Sequence, residues 1–271
     1  YEIKINKINN LDVQNFKNKL NIYDVPLNFQ NAFNVPYKNK KKYINDCFEI
    51  ALKLIKKKKI FGLVNCAINK RDISSKGKTI GVTELLAKKN KVQGKEVMLI
   101  YNNSLSVCPI TTHIRIKLVS KNLNKKKIIN KKLKINNFFR KKLGFRPKIG
   151  VLGMNPHNDE NKPGSEEKKI IFPAINFLKK KGLSIKGPIS PDTAFLDYKK
   201  NKFDIIIGMY HDQVLSPFKA IFKFKAINIT LGLPFLRVSP DHGIGEDIVK
   251  KNKANPESLI ESINFFKKIN A

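Results

Sequence analysis

Three of the four histidines in this sequence follow runs of apolar residues. They are His113 after Leu105–Ile110, His157 after Lys148–Met154, and His211 after Phe203–Gly208. Apolar runs rich in β-branched residues predict strands that are buried on both faces, as in a parallel sheet. In open α/β sheets, ligands bind beyond the carboxyl ends of such strands. Imidazoles gathered there indicate a divalent-metal site with open positions for a substrate, and a structural role for each histidine is the alternative.

The elements around these histidines alternate between the periodicities of helix and strand. Amphipathic spacing predicts helices over Tyr43–Lys58, Asn122–Lys142 and Pro256–Ile269, a helix that opens at 81–84, and a helix from Ser165 that Pro173 kinks. Apolar runs predict strands over Ile60–Val64 and Ala226–Leu231, and a hairpin of Val97–Tyr101 with Leu105–Ile110. This alternation favours α/β layers over a helical bundle or a β-sandwich.

Three segments predict irregular structure. Residues 1 to about 42 predict loops with one helix near Val13–Leu20, Gly187–Thr193 predicts an extended loop, and Gly232–Arg237 predicts a turn that presents a buriable arginine. The sequence contains neither a Gly-x-Gly-x-x-Gly phosphate turn nor a P-loop. A dinucleotide would therefore not be held in the usual Rossmann manner.

The length and composition are those of a globular protein. A chain of 271 residues is long enough for one large domain or two smaller ones, each with a full core. No apolar stretch approaches the length of a membrane span and no secretory signal is visible, so we expect no membrane partner. Cys66 and Cys108 lie in apolar runs without metal-ligand spacing, which predicts buried thiols in a reducing cytoplasm.

The net charge of +33 suggests a polyanion partner. Lysine, asparagine and isoleucine are abundant together, however, which is typical of a genome rich in A and T. Arginine is scarce and tryptophan is absent, whereas nucleic-acid readers use arginine and interleaved aromatic residues. We therefore expect weak, salt-sensitive binding to polyanions and no specific nucleic-acid partner.

Several motifs, taken in order, resemble the 4-hydroxythreonine-4-phosphate dehydrogenase family. They are Asn155-Pro-His157 followed by Gly-Ser-Glu-Glu, Gly187-Pro with Pro191-Asp-Thr193, Met209-Tyr-His-Asp-Gln213, Asn228-Ile-Thr-Leu-Gly-Leu-Pro-Phe-Leu-Arg237, and Asp241-His-Gly243. The resemblance extends from about Val64 to the C-terminus. The family's glycine-rich opening is not found, so we expect a further N-terminal segment to precede Tyr1.

The resemblance implies an isocitrate/isopropylmalate dehydrogenase-like two-domain α/β/α fold with the active site in the interdomain cleft. It places 1–75 with 230–271 in the first domain and 76–229 in the second. It also implies a homodimer that oxidises 4-phosphohydroxy-L-threonine with NAD, or NADP as the alternative, on the route to pyridoxal 5'-phosphate. The product, 2-amino-3-oxo-4-phosphooxybutanoate, would decarboxylate to 3-amino-2-oxopropyl phosphate.

The resemblance also implies the residues of the site. The family's divalent metal, with zinc, magnesium, cobalt and manganese as candidates, would be held by His113, His157 and His211 across the subunit interface. The small phosphorylated substrate would contact Thr83, Lys219, Asn228 and Arg237. Cationic and amide side chains suit a substrate that carries phosphate and carboxylate groups.

Two neighbours of these residues have open roles. Asp212 is a candidate for orienting His211 or for proton transfer, and capping of the following turn is the alternative. His242 favours a structural or cofactor-side role, with its ring held by the preceding Asp241.

Three departures from the family leave alternatives open. Val82 stands where family members have histidine, Val214 stands where they have glycine, and residues 158–162 replace a glycine-rich loop. A paralogous dehydrogenase of threonate or erythronate phosphate is therefore one alternative. A non-catalytic basic binding protein is another, although the retained histidines argue against it.

Overall fold

A computed structural model describes residues 3–9, 11, 19–74 and 81–269. The strands of this part are β1 (Ile5–Ile8), β2 (Leu20–Tyr23), β3 (Gly62–Val64), β4 (Val97–Tyr101), β5 (Ser106–Pro109), β6 (Ile149–Leu152), β7 (Ile185–Ile189), β8 (Ile205–Gly208), β9 (Ile227–Leu231) and β10 (Leu236–Pro240). Its α-helices are α1 (Tyr37–Lys56), α2 (Lys70–Ile73), α3 (Val82–Lys89), α4 (Val119–Asn122), α5 (Lys125–Phe138), α6 (Phe172–Lys180), α7 (Pro191–Ala194), α8 (His211–Phe222) and α9 (Glu257–Lys268). The helix expected near Val13–Leu20 falls almost entirely outside the described residues.

The chain divides into two compact units, and the first comprises 1–63 and 68–86. In it, β1 and β2 pair in parallel, which the prediction of loops for this region missed. Helix α1 begins at residue 37, earlier than its apolar spacing predicts, because Lys38 to Lys42 continue the helix as polar residues. The Tyr37 hydroxyl donates to the Arg71 carbonyl oxygen, which ties α1 to α2.

The second unit comprises 64–67 and 87–271 and contains a large mixed sheet. The strand order is β3-β10-β9-β4-β5-β8-β6-β7, and β3 joins this unit through its last residue, Val64. Strand β8 lies between β5 and β6 and is parallel to both. The pair β6–β7 is also parallel, whereas the pairs β4–β5, β4–β9 and β9–β10 are antiparallel. The parallel strand predicted from the three consecutive isoleucines is therefore confirmed.

Helices cover both faces of this sheet. Ile205 and Ile207 of β8 pack in one core cluster with residues of α5, α6 and α9. Ile206, which points the opposite way, packs in a second cluster with residues of α7 and α8. Because successive strand residues alternate between faces, a strand between two helical layers must be apolar throughout.

Two segments expected to be irregular are partly strand, although the turn at 232–235 and the burial of Arg237 are as predicted. The extended loop expected over Gly187–Thr193 begins as β7, which pairs in parallel with β6. Gly187 permits this approach, since a Cβ atom there would lie 2.4 Å from the Val151 carbonyl oxygen. The turn expected over Gly232–Arg237 ends early, and Arg237 is buried within β10. Hydrogen bonds to a neighbouring strand override the local turn signals at both places.

Two further expectations concern burial and membranes. Cys108 is buried as expected, but Cys66 is exposed because it lies in the irregular segment after β3. No helix in the described part of the chain is long and apolar enough to span a membrane. The two compact units are defined only by the contacts within each of them. They do not test the predicted division into domains of 1–75 with 230–271 and of 76–229, which stays a prediction.

Candidate active site

The three strands that precede the histidines are neighbours in the sheet. Their order is β5-β8-β6 and all three are parallel, so their carboxyl ends lie at the same edge. His113, His211 and His157 follow these ends in that order. The expectation that the histidine-bearing segments share one edge of a parallel sheet is therefore confirmed.

His113 and His211 form a close pair. Their ring centroids are 5.8 Å apart with an interplanar angle of 37°. For a metal–nitrogen distance of about 2.1 Å, two imidazoles on one ion have ring centres roughly 5 to 6.5 Å apart. The measured separation thus fits two ligands of a single divalent ion.

His157 does not join this pair within one chain. Its Nε2 atom lies 3.8 Å from Oδ2 of Asp192, and both side chains are mostly exposed. Among the described residues, no group of three or more histidine, cysteine, aspartate or glutamate side chains is placed to hold a metal ion. The structure brings together two of the three expected ligands, and the role of His157 stays a prediction.

The loop that contains His157 has an unusual backbone. Residues 157–160 all have left-handed φ angles between 47° and 59°. This conformation costs roughly 1 to 2 kcal/mol for each non-glycine residue. Strained backbone of this kind persists only where the surrounding structure enforces it.

Glu167 supplies part of that enforcement. Its Oε1 atom accepts hydrogen bonds from the backbone N–H groups of Met154 at 2.6 Å and Asn155 at 2.9 Å. Its Oε2 atom accepts a further bond from the Asn155 side chain at 3.0 Å. Glu167 is completely buried, and a Cβ atom at Gly153 would lie 3.1 Å from its Oε1. The buried carboxylate of Glu167 therefore fixes the backbone at Met154 and Asn155, where the loop begins.

Gln213 links the ends of β6 and β8. Its Oε1 atom accepts a hydrogen bond from the Met209 N–H at 2.6 Å, and its Nε2 atom donates to the Gly153 carbonyl oxygen at 2.8 Å. A Cβ atom at Gly208 would lie 2.8 Å from the same Oε1, so a glycine there leaves space for the buried amide. One side chain thus sets the spacing between the segments that lead to His157 and His211.

Asp212 contacts His211 directly. Its Oδ1 atom lies 2.8 Å from Nδ1 of His211. With the proton on Nδ1, this contact leaves Nε2 as the lone-pair nitrogen for a metal ion. The geometry suits the orienting role proposed from the sequence, which remains untested.

Lys219 lies on the same helix as His211 and contacts Asp241. Its ammonium group donates to the Asp241 carbonyl oxygen at 3.0 Å and lies 3.3 Å from Oδ2 of the same residue. Burial raises the pKa of the Asp241 carboxyl, and the charge of Lys219 opposes that shift. The Nδ1 atom of His242 contacts the Gly243 carbonyl oxygen instead of Asp241, so the expected Asp241 support for its ring is not observed.

Arg237 and Asn228 lie on the adjacent strands β10 and β9. The Arg237 guanidinium donates to the Asn65 side-chain oxygen at 2.8 Å and to the Thr230 hydroxyl at 3.0 Å. The Asn228 Oδ1 atom is buried without a hydrogen-bond partner in the described part of the chain. A buried acceptor in that state is available to a ligand donor.

Thr83 is the second residue of α3 and belongs to the first compact unit, next to Val82. The other predicted substrate residues belong to the second unit. The predicted contact of Thr83 with a substrate stays a prediction.

Sequence reasoning missed three residues that organise this region: Glu167, Gln213 and Asp241. Gln213 and Asp241 lie close to His211 and His242, and the predictions for these two segments concerned the histidines. Glu167 is one of two adjacent glutamates in a first helical turn, where a dipole interaction accounts for them equally well. The sequence signal that could have located Glu167 and Gln213 is a glycine at the end of each strand, Gly153 after β6 and Gly208 in β8.

Comparison with known proteins gives a consistent picture. A family model described as pyridoxal phosphate biosynthetic protein PdxA matches residues 1–266. A 4-hydroxythreonine-4-phosphate dehydrogenase from Sulfurihydrogenibium sp. (strain YO3AOP1) is 42% identical over 249 residues, which cover 90% of this chain and 74% of the relative. A D-threonate 4-phosphate dehydrogenase from Pectobacterium atrosepticum is 36% identical over 220 residues, which cover 80% of this chain and 67% of the relative.

Solved structures agree with the sequence comparison. A 4-hydroxythreonine-4-phosphate dehydrogenase from Klebsiella pneumoniae matches with a TM-score of 0.84 at 31% identity, covering 100% of this chain and 84% of that one. An isocitrate dehydrogenase from Methylococcus capsulatus matches with a TM-score of 0.51 at 12% identity, covering 82% of this chain and 71% of that one. The second match shows likeness of fold alone, and it confirms the predicted isocitrate dehydrogenase-like α/β fold.

Proposed function

The chain belongs to the pyridoxal phosphate biosynthetic protein PdxA family, and from this premise we propose that it oxidises 4-phosphohydroxy-L-threonine in an NAD- and divalent-metal-dependent reaction. Family membership makes it an oxidoreductase, so we do not retain the alternative of a non-catalytic basic binding protein. The reaction would serve pyridoxal 5'-phosphate biosynthesis, in the cytoplasm.

One observation supports this proposal most directly. Helix α8 begins with His211, whose ring is paired with that of His113, and the same helix contains Lys219. Eight residues of α-helix span about 12 Å. One imidazole of the metal-capable pair and a cation suited to a phosphate or carboxylate therefore lie on one rigid element. Both functions are needed for a phosphorylated hydroxy acid that is oxidised at its hydroxyl group.

We propose that His113 and His211 hold the ion together with His157 from a second copy of the chain. Such an ion would supply Lewis-acid chemistry that favours loss of the proton from the substrate hydroxyl. The 3.8 Å contact between His157 and Asp192 would give way to a ligand role for the ring. An exposed imidazole at that distance from a single carboxylate can reorient at low cost.

The side chains around the pair would bind and orient the substrate. Lys219 and Arg237 would neutralise its phosphate and carboxylate groups, and the unpartnered Oδ1 of Asn228 would accept from its ammonium or hydroxyl group. Asp212 would hold the His211 ring and receive the hydroxyl proton through solvent. Hydride would leave carbon 3 for the nicotinamide, and the resulting β-keto acid would lose carbon dioxide.

The direct test is NADH formation from 4-phosphohydroxy-L-threonine with and without a chelator. We expect turnover that a chelator abolishes and that added zinc, magnesium, cobalt or manganese restores. Turnover that is unaffected by complete metal removal would overturn the metal-dependent mechanism. The ion that restores the highest kcat identifies the preferred metal among these candidates.

A mixing experiment tests the shared site. The H157A and H211A variants should each be inactive. Unfolding and refolding them together would give about half heterodimers, each with one of two sites intact, and so about a quarter of wild-type activity. If the mixture stays inactive while refolded wild type recovers, the metal ligands do not come from two subunits.

A further inference from the structure

Asp241 is held firmly in place just beyond the end of β10. Its backbone N–H donates to the Ser258 hydroxyl at 2.9 Å, and that hydroxyl donates to the Ala226 carbonyl oxygen at 2.5 Å. Ser258 is buried and lies in the first turn of α9. The position of Asp241 is therefore set by β10, α9 and the segment before β9 together.

Asp241 makes two contacts with one ammonium group. Lys219 Nζ lies 3.0 Å from the Asp241 carbonyl oxygen and 3.3 Å from its Oδ2 atom. The Asp241 side chain is only 11% exposed, whereas that of Lys219 is 43% exposed. The buried partner is thus fixed, and the exposed partner is the one that a ligand can reach. Two contacts from one residue restrict where the end of a long, flexible side chain can lie.

This carboxylate is poorly explained by stability. Its Oδ2 atom is buried and has no hydrogen bond in the described part of the chain, so the ammonium group is its compensating charge. Burial raises the pKa of the Asp241 carboxyl because it penalises the charged form, and the nearby Lys219, His211 and His242 oppose that shift. An ion pair whose cation is partly exposed to solvent adds little to folding stability. The main effect of Asp241 is therefore on the orientation of the Lys219 ammonium group.

We propose that Asp241 is a positioning residue that holds the Lys219 ammonium group in the orientation required for an anionic group of the substrate. This inference rests on the proposed function, in which Lys219 binds the phosphate or carboxylate. The end of the Lys219 side chain would already be in place before the substrate arrives, so that little side-chain entropy is lost on binding.

The test is a double-mutant cycle with D241N, K219M and the double variant. Binding of 4-phosphohydroxy-L-threonine and of inorganic phosphate would be measured by calorimetry on the full chain, with KM and kcat beside them. We expect D241N to raise Kd and KM about tenfold with little change in kcat, and K219M to raise them further. The double variant should match K219M, because Asp241 acts only through the lysine. D46N, which removes the carboxylate of the exposed pair Lys42–Asp46, is the matched control and should change nothing.

A structural role would give a different result. It predicts a lower melting temperature for D241N and effects of D241N and K219M that add in the double variant, and this outcome would overturn the proposal. D241E, which keeps the charge but displaces it by one methylene, covers the case in which D241N does not fold. It should raise KM less than K219M does, and an effect equal to or greater than that of K219M would count against positioning.

The two probes separate this inference from the proposed function. Loss of phosphate binding in D241N and K219M, without turnover in wild type, would leave positioning intact and remove the proposed reaction. Weaker binding in K219M but not in D241N would remove the positioning role alone. Unchanged binding in K219M would remove Lys219 from the site and the inference with it.

Discussion

At the residue scale, His211 combines three features that together suit a metal ligand. Its ring is paired with that of His113, its Nδ1 atom contacts Asp212, and it begins a helix that directly follows a parallel strand. Each feature alone has a structural explanation. Together they place the ring beside a second imidazole, with its Nε2 atom not engaged by Asp212, at the edge where α/β proteins bind ligands.

We predict that H211A loses NADH formation by at least about a hundredfold, because removal of one ligand from a small metal site greatly weakens metal binding. The side chain is about one third exposed, so the variant should unfold near the wild-type temperature. Activity and a melting curve on the same preparation check both parts. Wild-type turnover in H211A would remove this histidine from the metal site.

Lys132 lies outside the site, and we expect it to lower the stability of the fold. It is completely buried on α5, and its Nζ atom has no hydrogen-bond partner among the described residues. Burial lowers the pKa of Lys132 well below its ordinary value, while the neighbouring Cys108 opposes this weakly. As the pH falls below about 10.4, the unfolded chain takes up this proton before the folded chain does. The free energy of unfolding should therefore decrease as pH falls through the window between the folded and unfolded pKa values.

We predict that K132M raises the free energy of unfolding at neutral pH by on the order of 2 kcal/mol, because an apolar side chain needs no compensating charge. The variant should also show a weaker rise in stability from neutral to alkaline pH. Urea unfolding at several pH values measures both effects, with the exposed Lys126 replaced in K126M as the control. A destabilised K132M would mean that Lys132 has a buried partner.

At the element scale, the ends of β6 and β8 are joined by one amide side chain. Gln213 bonds the Met209 N–H and the Gly153 carbonyl oxygen, and it is buried. Its removal leaves two backbone groups without partners in a place that water does not readily reach. Loop 154–160 and the first turn of α8 both depend on this spacing.

We predict that Q213A lowers the free energy of unfolding by about 2 to 6 kcal/mol, since it leaves two buried groups unsatisfied and each costs about 1 to 3 kcal/mol. It should also weaken metal binding in the folded protein. Urea unfolding and metal titration provide the two readouts. S216A, at an exposed position of the same helix, is the control. Wild-type stability in Q213A would show that solvent replaces the amide.

The secondary-structure elements differ in how well they could be predicted from the sequence. The isoleucine run of β8 predicted a strand buried on both faces, because its periodicity depends only on local residues. Strand β7 was missed, since its hydrogen bonds come from β6, which lies far earlier in the chain. Strand β10 was missed although it pairs with β9 just before it, because the turn signals of Gly232 and Pro234 directly precede it. The left-handed backbone of residues 157–160 was not predicted, and the contacts of Glu167 and Gln213 that fix the start of this loop, at residues 153–155, come from segments distant in the chain.

At the scale of the whole molecule, the strand-end positions of the histidines could be predicted but their distances could not. The parallel order β5-β8-β6 follows from pairing, and it gathers the histidine-bearing ends at one edge. Whether rings meet depends on loop geometry, which brings His113 and His211 together and turns His157 toward Asp192.

The net charge of +33 leads to a prediction about the stability and polyanion binding of the whole molecule. Mutual repulsion of the lysines opposes the compact state, and salt screens it over about 10 Å at 0.1 M. We predict a melting temperature that rises as sodium chloride is increased from about 0.02 to 0.2 M, together with loss of binding to heparin or DNA. Polyanion binding that survives this increase would indicate specific recognition.

The most direct measurement compares NADH formation from 4-phosphohydroxy-L-threonine and from D-threonate 4-phosphate at matched concentrations with metal present. We predict a higher kcat/KM for the first substrate, and turnover that a chelator abolishes. Preference for the threonate ester would contradict the proposed substrate and would direct attention to Val82. Turnover that persists after complete removal of metal would contradict the role of the His113–His211 pair.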